Sequence, residues 1–168
     1  TDCYDWHERH QAVLAIKDCL NPDVVLIGDS ITHFWGGEPS DGHVNGAKAW
    51  AKTFHGLSVL NLGFGWDRTQ NVLWRLNHHE LDGLNPKLVV IHIGSNNTSE
   101  TENARSNTPD EVVAGIRAVC EEVHRLVPEA QIVLMAVMMR EKQPDHPRRI
   151  LINEINQRLQ NLQHDKNR

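Results

Sequence analysis

The chain has 168 residues, 39% of them hydrophobic, and 17 basic against 22 acidic side chains give a formal charge of −5. That fits one domain with one sizeable core and is too apolar for a disordered chain. No apolar run approaches the roughly 20 residues of a membrane helix, and no Lys/Arg cluster offsets the negative charge, so membrane and nucleic acid are both poor partners.

The opening "TDCYDWHERH" has neither the basic nor the apolar region of a signal peptide; a leader already removed would leave no trace, so the compartment stays open. A helix is expected over Asp5 to Cys19, its turns marked by Trp6, His10, Val13, Leu14 and Ile16 or Lys17, with Asn21-Pro22 as its stop. Strand one follows at Val24 to Ile27, a helix at Ala47 to Phe54, and strand two at Ser58 to Leu62. "RTQNVLWRLNHHEL" reads as a helix with Val72, Leu73, Leu76 and Leu81 inward; after Asn85-Pro86, "LVVIHIG" is strand three. Thr108-Pro109-Asp110-Glu111 is a capping box with proline at the first helical position. Val112, Ile116, Val119, Val123 and Leu126 continue it at steps of three and four up to Pro128. Strand four is Ile132 to Val137, and a last helix from Arg148 carries Leu151, Ile155, Leu159 and Leu162.

Strands one, three and four are nearly continuous apolar runs, the mark of strands buried on both faces. The alternation with helices predicts a single doubly wound α/β domain over 1–168, parallel, with helices on both sides. In such sheets ligands bind beyond the carboxyl ends of the strands. The polar oddities of this chain fall there: Gly28-Asp29-Ser30, Gly63 to Arg68, Gly94 to Asn97, and Arg140-Glu141. Four loops converging on one rim argue for a site.

Ser30 has two readings. It can cap the helix that follows, or it can be a nucleophile at the positive end of that helix. Gly28 would permit a tight turn and Asp29 would accept local N–H bonds. Asn96 and Asn97 either shape a turn or, for Asn96, offer a side-chain amide to a developing oxyanion. The two glycines of "NLGFGWDRT" either serve a turn capped by Asp67 or present N–H groups to the same anion. No GxSxG elbow occurs, and the glycines lack the spacing of a phosphate or dinucleotide loop. A flavin-binding reading lacks a Ser/Thr-rich phosphate loop after strand one.

Three cysteines, Cys3, Cys19 and Cys120, show no CxxC or zinc spacing and read as thiols, with a Cys3–Cys19 pair open only to an exported protein. The 11 histidines are scattered, and none forms HExxH. His78 and His79 would point about 100° apart on a helix, a poor metal pair. No metal site is expected.

"GDSIT", "NLGFGWDRT" and "HIGSNN", in this order after strands one, two and three, resemble the blocks of the SGNH (GDSL) hydrolases. Within that family the chain is similar to acetylhydrolases of the platelet-activating-factor type and to bacterial carbohydrate acetylesterases. The resemblance implies a flavodoxin-like three-layer α/β/α sheet and a serine nucleophile, Ser30. It implies an oxyanion hole from the N–H groups of Ser30 and of the second block, with the Asn96 amide. Asp29, Gly63, Asp67, Arg68 and Asn97 would support the site, and Arg140 could contact substrate. No metal or organic cofactor is implied. The substrate class is a small O-acylated molecule, plausibly an O-acetylated carbohydrate.

The chain departs from the pattern twice. Where many relatives have glycine before the aspartate, Trp66 stands; its N–H can still serve, and its indole is expected to wall the pocket against long acyl chains. Second, the family's base is a DxxH pair after a fifth strand, and no aspartate here is followed by histidine three residues later. Asp145-His146 precedes the last helix and reads as a polar loop. Glu121 and His124 are expected to face water, His33 to be a pocket or surface residue, and His92 to point into the packing of strand three. The last strand and helix of the family are therefore expected to lie outside this sequence. The apolar edge of strand four would then be covered by a second copy, another chain or further residues. The alternative is a catalytically silent fold used for binding or assembly.

Overall fold

The structure, a computed structural model, describes residues 4–165, and its side chains through 161. Cys3, and with it the Cys3–Cys19 pair, and the Leu162 side chain lie outside the described residues. The elements in chain order are α1 (Trp6–Leu20), β1 (Val24–Gly28), α2 (Ser30–His33), α3 (Ala47–Thr53), β2 (Val59–Gly63), α4 (Thr69–Leu76), β3 (Leu88–His92), a 3-10 turn (Asn96–Thr98), α5 (Pro109–Leu126), β4 (Gln131–Leu134) and α6 (Pro147–Asp165). The four strands are parallel in the order β2-β1-β3-β4. That is the flavodoxin-like order, with its switch point between β1 and β3.

Local chemistry sets the boundaries. Asp5 caps α1 by accepting from Glu8 N, and Asn21 ends it in the left-handed conformation. Thr108 and Glu111 close the capping box of α5 around Pro109. The helix expected to run to Leu81 stops at Leu76 instead. The next turn swings Glu80 back under it to pair with Arg75 in the core, and Leu81 still arrives fully buried. Strand four is also shorter than expected. After Leu134 the pairing is taken over by a side chain: Asn156 of α6 accepts from Val137 N at 2.8 Å and donates to Val137 O at 2.9 Å.

The two faces of the sheet differ. One carries Val25, Ile27, Leu60, Leu62, Val89 and Ile91 and is covered by α1, α4, α5 and α6, which together form the main core. The other carries Val24, Leu26 and Val59, with Trp35, Trp50 and Phe54 packed over β1 and β2. Over β3 and β4 this second face is open: Leu88 and Val90 are half-buried, and Val133 and Met135 are 41% and 39% exposed. The expectation that β3 and β4 are buried on both faces is thus corrected. Burial alternates along β3 and β4, because no element among the described residues covers the second face there. β4 is also an edge strand. No helix among the described residues is long and apolar enough to cross a membrane.

Candidate active site

The carboxyl ends of β1, β2 and β3 are in register, with Gly28 opposite both Gly63 and His92. The loops that leave these three residues therefore start side by side. A side chain at Gly28 would collide with Thr32 and with His92 O, and one at Gly63 with the backbone of Thr32 and His33. Both glycines exist so that α2 can lie directly across the strand ends.

Ser30 is the first residue of α2, and its cap is Asp29, whose carboxylate accepts from Ile31 N at 3.0 Å. The capping reading of Ser30 is overturned. Since the cap is already supplied, the serine hydroxyl is left over; no hydrogen bond among the described residues engages it. α2 is a single turn, so the helix dipole expected behind Ser30 is small. Ser30 lines an open groove of about 640 Å³ on the uncovered side of the sheet, with Leu26, Ile31, Val90, His92 and Met138 among its walls.

His92 thus departs from its expected place in the strand packing. Its ring is buried but borders the groove, and Nε2 has no hydrogen-bond partner among the described residues. Burial lowers its pKa, opposed by the charge of nearby Asp29; burial raises that of Asp29, opposed by Ile31 N–H, His92 and Arg140. Arg140, expected as a substrate contact, is exposed and within electrostatic reach of Asp29, but it is not among the walls of the groove.

The second loop is a turn, Asp67 N donating to Phe64 O at 3.2 Å, with Trp66 at φ +67°. This is the backbone conformation that glycine adopts without strain, at a cost of about 1–2 kcal/mol to other residues. The Trp66 indole is 66% exposed and is absent from the walls of the Ser30 groove. It does not restrict the acyl side as expected, because the left-handed backbone throws the ring outward. No hydrogen bond among the described residues engages the backbone N–H of Ser30 or of Trp66.

This turn is held from below. Asp67 accepts from Trp6 Nε1 at 2.7 Å and Arg75 Nε at 2.9 Å, and its carbonyl accepts from Asn96 Nδ2 at 3.0 Å. Asn96 is buried and keeps a second amide N–H. Burial pushes the Asp67 carboxyl up to about 6, against the pull of Arg75 and Trp6. Arg75, fully buried, divides its guanidinium between Asp67, Glu80 and Leu62 O, and stacks 3.9 Å above the Phe64 ring. Asn97 anchors α4 by accepting from Thr69 N at 3.1 Å, and Arg68 donates to the carbonyls of Ser99 and Arg105. Both support the loops, and neither lines the groove.

Several supporting residues escaped sequence reasoning. Arg9 donates to Gly63 O, Asn61 O and Pro39 O, satisfying the free edge of β2. It stands one helical turn before Val13, so the α1 stripe could have disclosed it. Asn61 donates to Thr32 O and Gly36 O and accepts from Gly63 N, tying α2 to β2. His33, expected at the pocket or surface, is buried instead. Nε2 donates to Asp41 at 2.5 Å and Nδ1 accepts from Gly65 N at 3.2 Å. Burial first, then Arg9 and His43, hold its pKa down to about 4 against Asp41. With Nδ1 committed to the turn, this His–Asp pair positions Gly65 and has no lone pair for Ser30. Glu121, His124, Asp145 and His146 are exposed, and His146 accepts from Arg148 N. Among the described residues no group of three or more His, Cys, Asp or Glu could hold a metal.

The comparisons agree with this architecture. A family model described as "GDSL-like Lipase/Acylhydrolase family" matches residues 26–167. Among curated relatives, platelet-activating factor acetylhydrolase IB subunit alpha1 of Rattus norvegicus is 34% identical over 140 residues, covering 83% of this chain and 53% of that protein. The subunit beta homolog of Drosophila melanogaster is 35% identical, covering 89% of this chain and 60% of that protein. The chain thus spans little more than half the length of these relatives. Among solved structures, an α/β hydrolase from the metagenome of Lake Arreo superposes with a TM-score of 0.65 at 21% identity, covering 86% of this chain and 73% of that one. An acetyl xylan esterase gives 0.64 at 20%, with the same coverage; both share the fold. With strand order, block order and family model in agreement, the chain belongs to the GDSL-like lipase/acylhydrolase family.

Proposed function

We propose that the protein is a serine ester hydrolase that removes a small acyl group, acetyl, from an O-acylated substrate through an acyl-enzyme on Ser30. The observation that carries this reading is the Ser30 hydroxyl on an open groove, which no hydrogen bond among the described residues engages. Ser30 Oγ attacks the ester carbonyl. The N–H groups of Ser30 and Trp66 and the second Asn96 amide proton receive the oxyanion, whose charge is stabilised where it develops. Asp29 fixes the start of α2, while Asp67, Arg68, Asn97 and Gly63 hold the loops. Attack requires a base to take the serine proton, and this sequence contains no DxxH pair to supply it. The acetyl preference is supported by the names of the relatives, acetylhydrolase subunits, and of one structural neighbour, an acetyl xylan esterase. A carbohydrate alcohol is supported by that neighbour's name. The relatives are named as subunits, in keeping with a second copy or further chain over the β4 edge.

The second reading is a silent binding or assembly module, favoured because no histidine among the described residues is hydrogen-bonded to Ser30, although His92 borders the same groove. Reaction with a fluorophosphonate probe separates the two: labelling that disappears in Ser30→Ala supports the enzyme, and no labelling supports the module. Relative rates on p-nitrophenyl acetate and decanoate test the acyl preference. Faster cleavage of decanoate would reject it.

A further inference from the structure

Tyr4, two residues before α1, has no part in the reaction proposed above, yet its hydroxyl is spent on the rim of the sheet. It donates to Gly65 O at 2.8 Å, 61 positions along the chain. The ring packs against the main core and lies edge-on to buried His33, 4.6 Å between centroids. Gly65 is what admits it: a Cβ at that position would stand 2.9 Å from the Tyr4 ring. The absence of a side chain there lets a phenol close onto the carbonyl of the same residue.

What the phenol holds is a peptide plane. The Gly65 carbonyl and the Trp66 N–H belong to one trans unit, in which they point in opposite directions. Fixing the oxygen toward Tyr4 therefore aims the N–H away from it. The neighbouring groups of the turn are engaged. Phe64 N donates to Gly28 O, Gly65 N to His33, and Asp67 N to Phe64 O, while Asp67 O accepts from Asn96. Trp6, from the same segment as Tyr4, holds the Asp67 carboxylate on the far side of Trp66. Trp66 itself sits at φ +67°, which a bulky residue keeps only under outside constraint. Tyr4 and Trp6 supply that constraint, one on each side of it.

We infer that Tyr4 is a positioning residue for the oxyanion: its hydroxyl clamps the Gly65–Trp66 peptide and so sets the direction of the Trp66 N–H. The oxyanion role rests on the esterase reading; the clamp itself does not. His33 and Tyr4 divide the work, one holding the N–H of Gly65 and the other its carbonyl. Both peptide planes that meet at this glycine are thereby fixed. A donor aimed in advance is worth most where charge develops, so the clamp acts on turnover and not on substrate binding.

The test is Tyr4→Phe in the full protein, which removes the hydroxyl and keeps the ring. On p-nitrophenyl acetate kcat should fall about tenfold, less than the roughly 10²–10³-fold of deleting a donor, with KM within about twofold of wild type. Gly65→Ala, which displaces the ring, should give a similar loss. Adding Tyr4→Phe to it should cost little more, as for two parts of one unit. The clamp is also read without activity, by amide hydrogen exchange: the Gly65 and Asp67 amides should exchange at least about tenfold faster in Tyr4→Phe. Wild-type kcat in Tyr4→Phe, a loss carried by KM, additive losses in the double variant, or unchanged exchange would each overturn the inference. Failure of the esterase reading registers separately, as absent fluorophosphonate labelling of Ser30 in the wild type. The oxyanion role would then fall with it, while the exchange difference would still report the clamp.

Discussion

The two faces of this sheet are built from the same residue types and end in different states. Ile91 and Val90 are neighbours in β3, yet Ile91 is sealed beneath helices while Val90 borders a groove. The covered face holds the main core, and the open face holds the groove where we propose the chemistry. A sheet with both faces sealed would have left Ser30 no apolar groove to stand in. An open apolar face has a cost, because exposed aliphatic residues on an edge strand invite association.

The comparison can be broken from its strongest point. Arg75 joins Asp67 and Glu80 within the covered side, and removing it strands two buried carboxylates. Arg75→Met should cost about 3–5 kcal/mol in urea unfolding. A loss below 1 kcal/mol would mean that the network does not hold the Trp66 turn. Ile91→Ala, on the same side, should cost about 2–5 kcal/mol by transfer and cavity terms.

The rim between the faces should show itself through pH. His33 titrates near 4 when folded and 6.5 when unfolded, so the unfolded chain binds more protons between those values. The stability that depends on neutral His33 is complete above about 6.5 and is lost as pH falls toward 4. Buried His92 acts in the same direction. The groups facing His33 are Asp41, Arg9, Tyr4 and His43. Asp67 and Asp29, whose carboxyls burial pushes up, act in the opposite direction over this window. The His33 contribution is therefore read as a difference: from pH 7 to 4 the wild type should lose more melting temperature than His33→Gln. Equal losses would contradict the burial of its ring.

The smallest effect belongs to the open face. Val133→Thr should change stability by no more than about 0.5 kcal/mol in dilute solution, as for an ordinary surface site. If a second copy covers β4, the penalty should grow with protein concentration, because association stabilises by mass action. A large, concentration-independent penalty would mean the face is sealed within one chain.

Periodicity made the parallel sheet and the order of its loops legible, because each helix keeps its stripe and each boundary its cap. Thr108 to Glu111 is the clearest example. What stayed hidden depends on partners distant in sequence. Helix α4 ends early because Glu80 turns back to Arg75. Val137 is paired by Asn156 rather than by a strand. An apolar run such as "IVLMAV" looks the same whether its second face is covered or bare, which is why β4 was expected to be buried. At the rim, the glycines and asparagines pointed to a site through their residue types. The buried duties of Asn61 and His33 did not, since nothing local distinguishes them from surface residues, and for Arg9 the only local sign was its place one turn before Val13 in α1. Trp66 illustrates the limit: its position in the second block was readable, but the direction of its indole follows from a backbone dihedral.

The most direct measurement is intact and peptide mass spectrometry of the full protein after treatment with a fluorophosphonate. The account predicts one adduct per chain, on the peptide containing Ser30, absent in Ser30→Ala and retained in Ser95→Ala. An unmodified protein, or an adduct that survives replacement of Ser30, would contradict it.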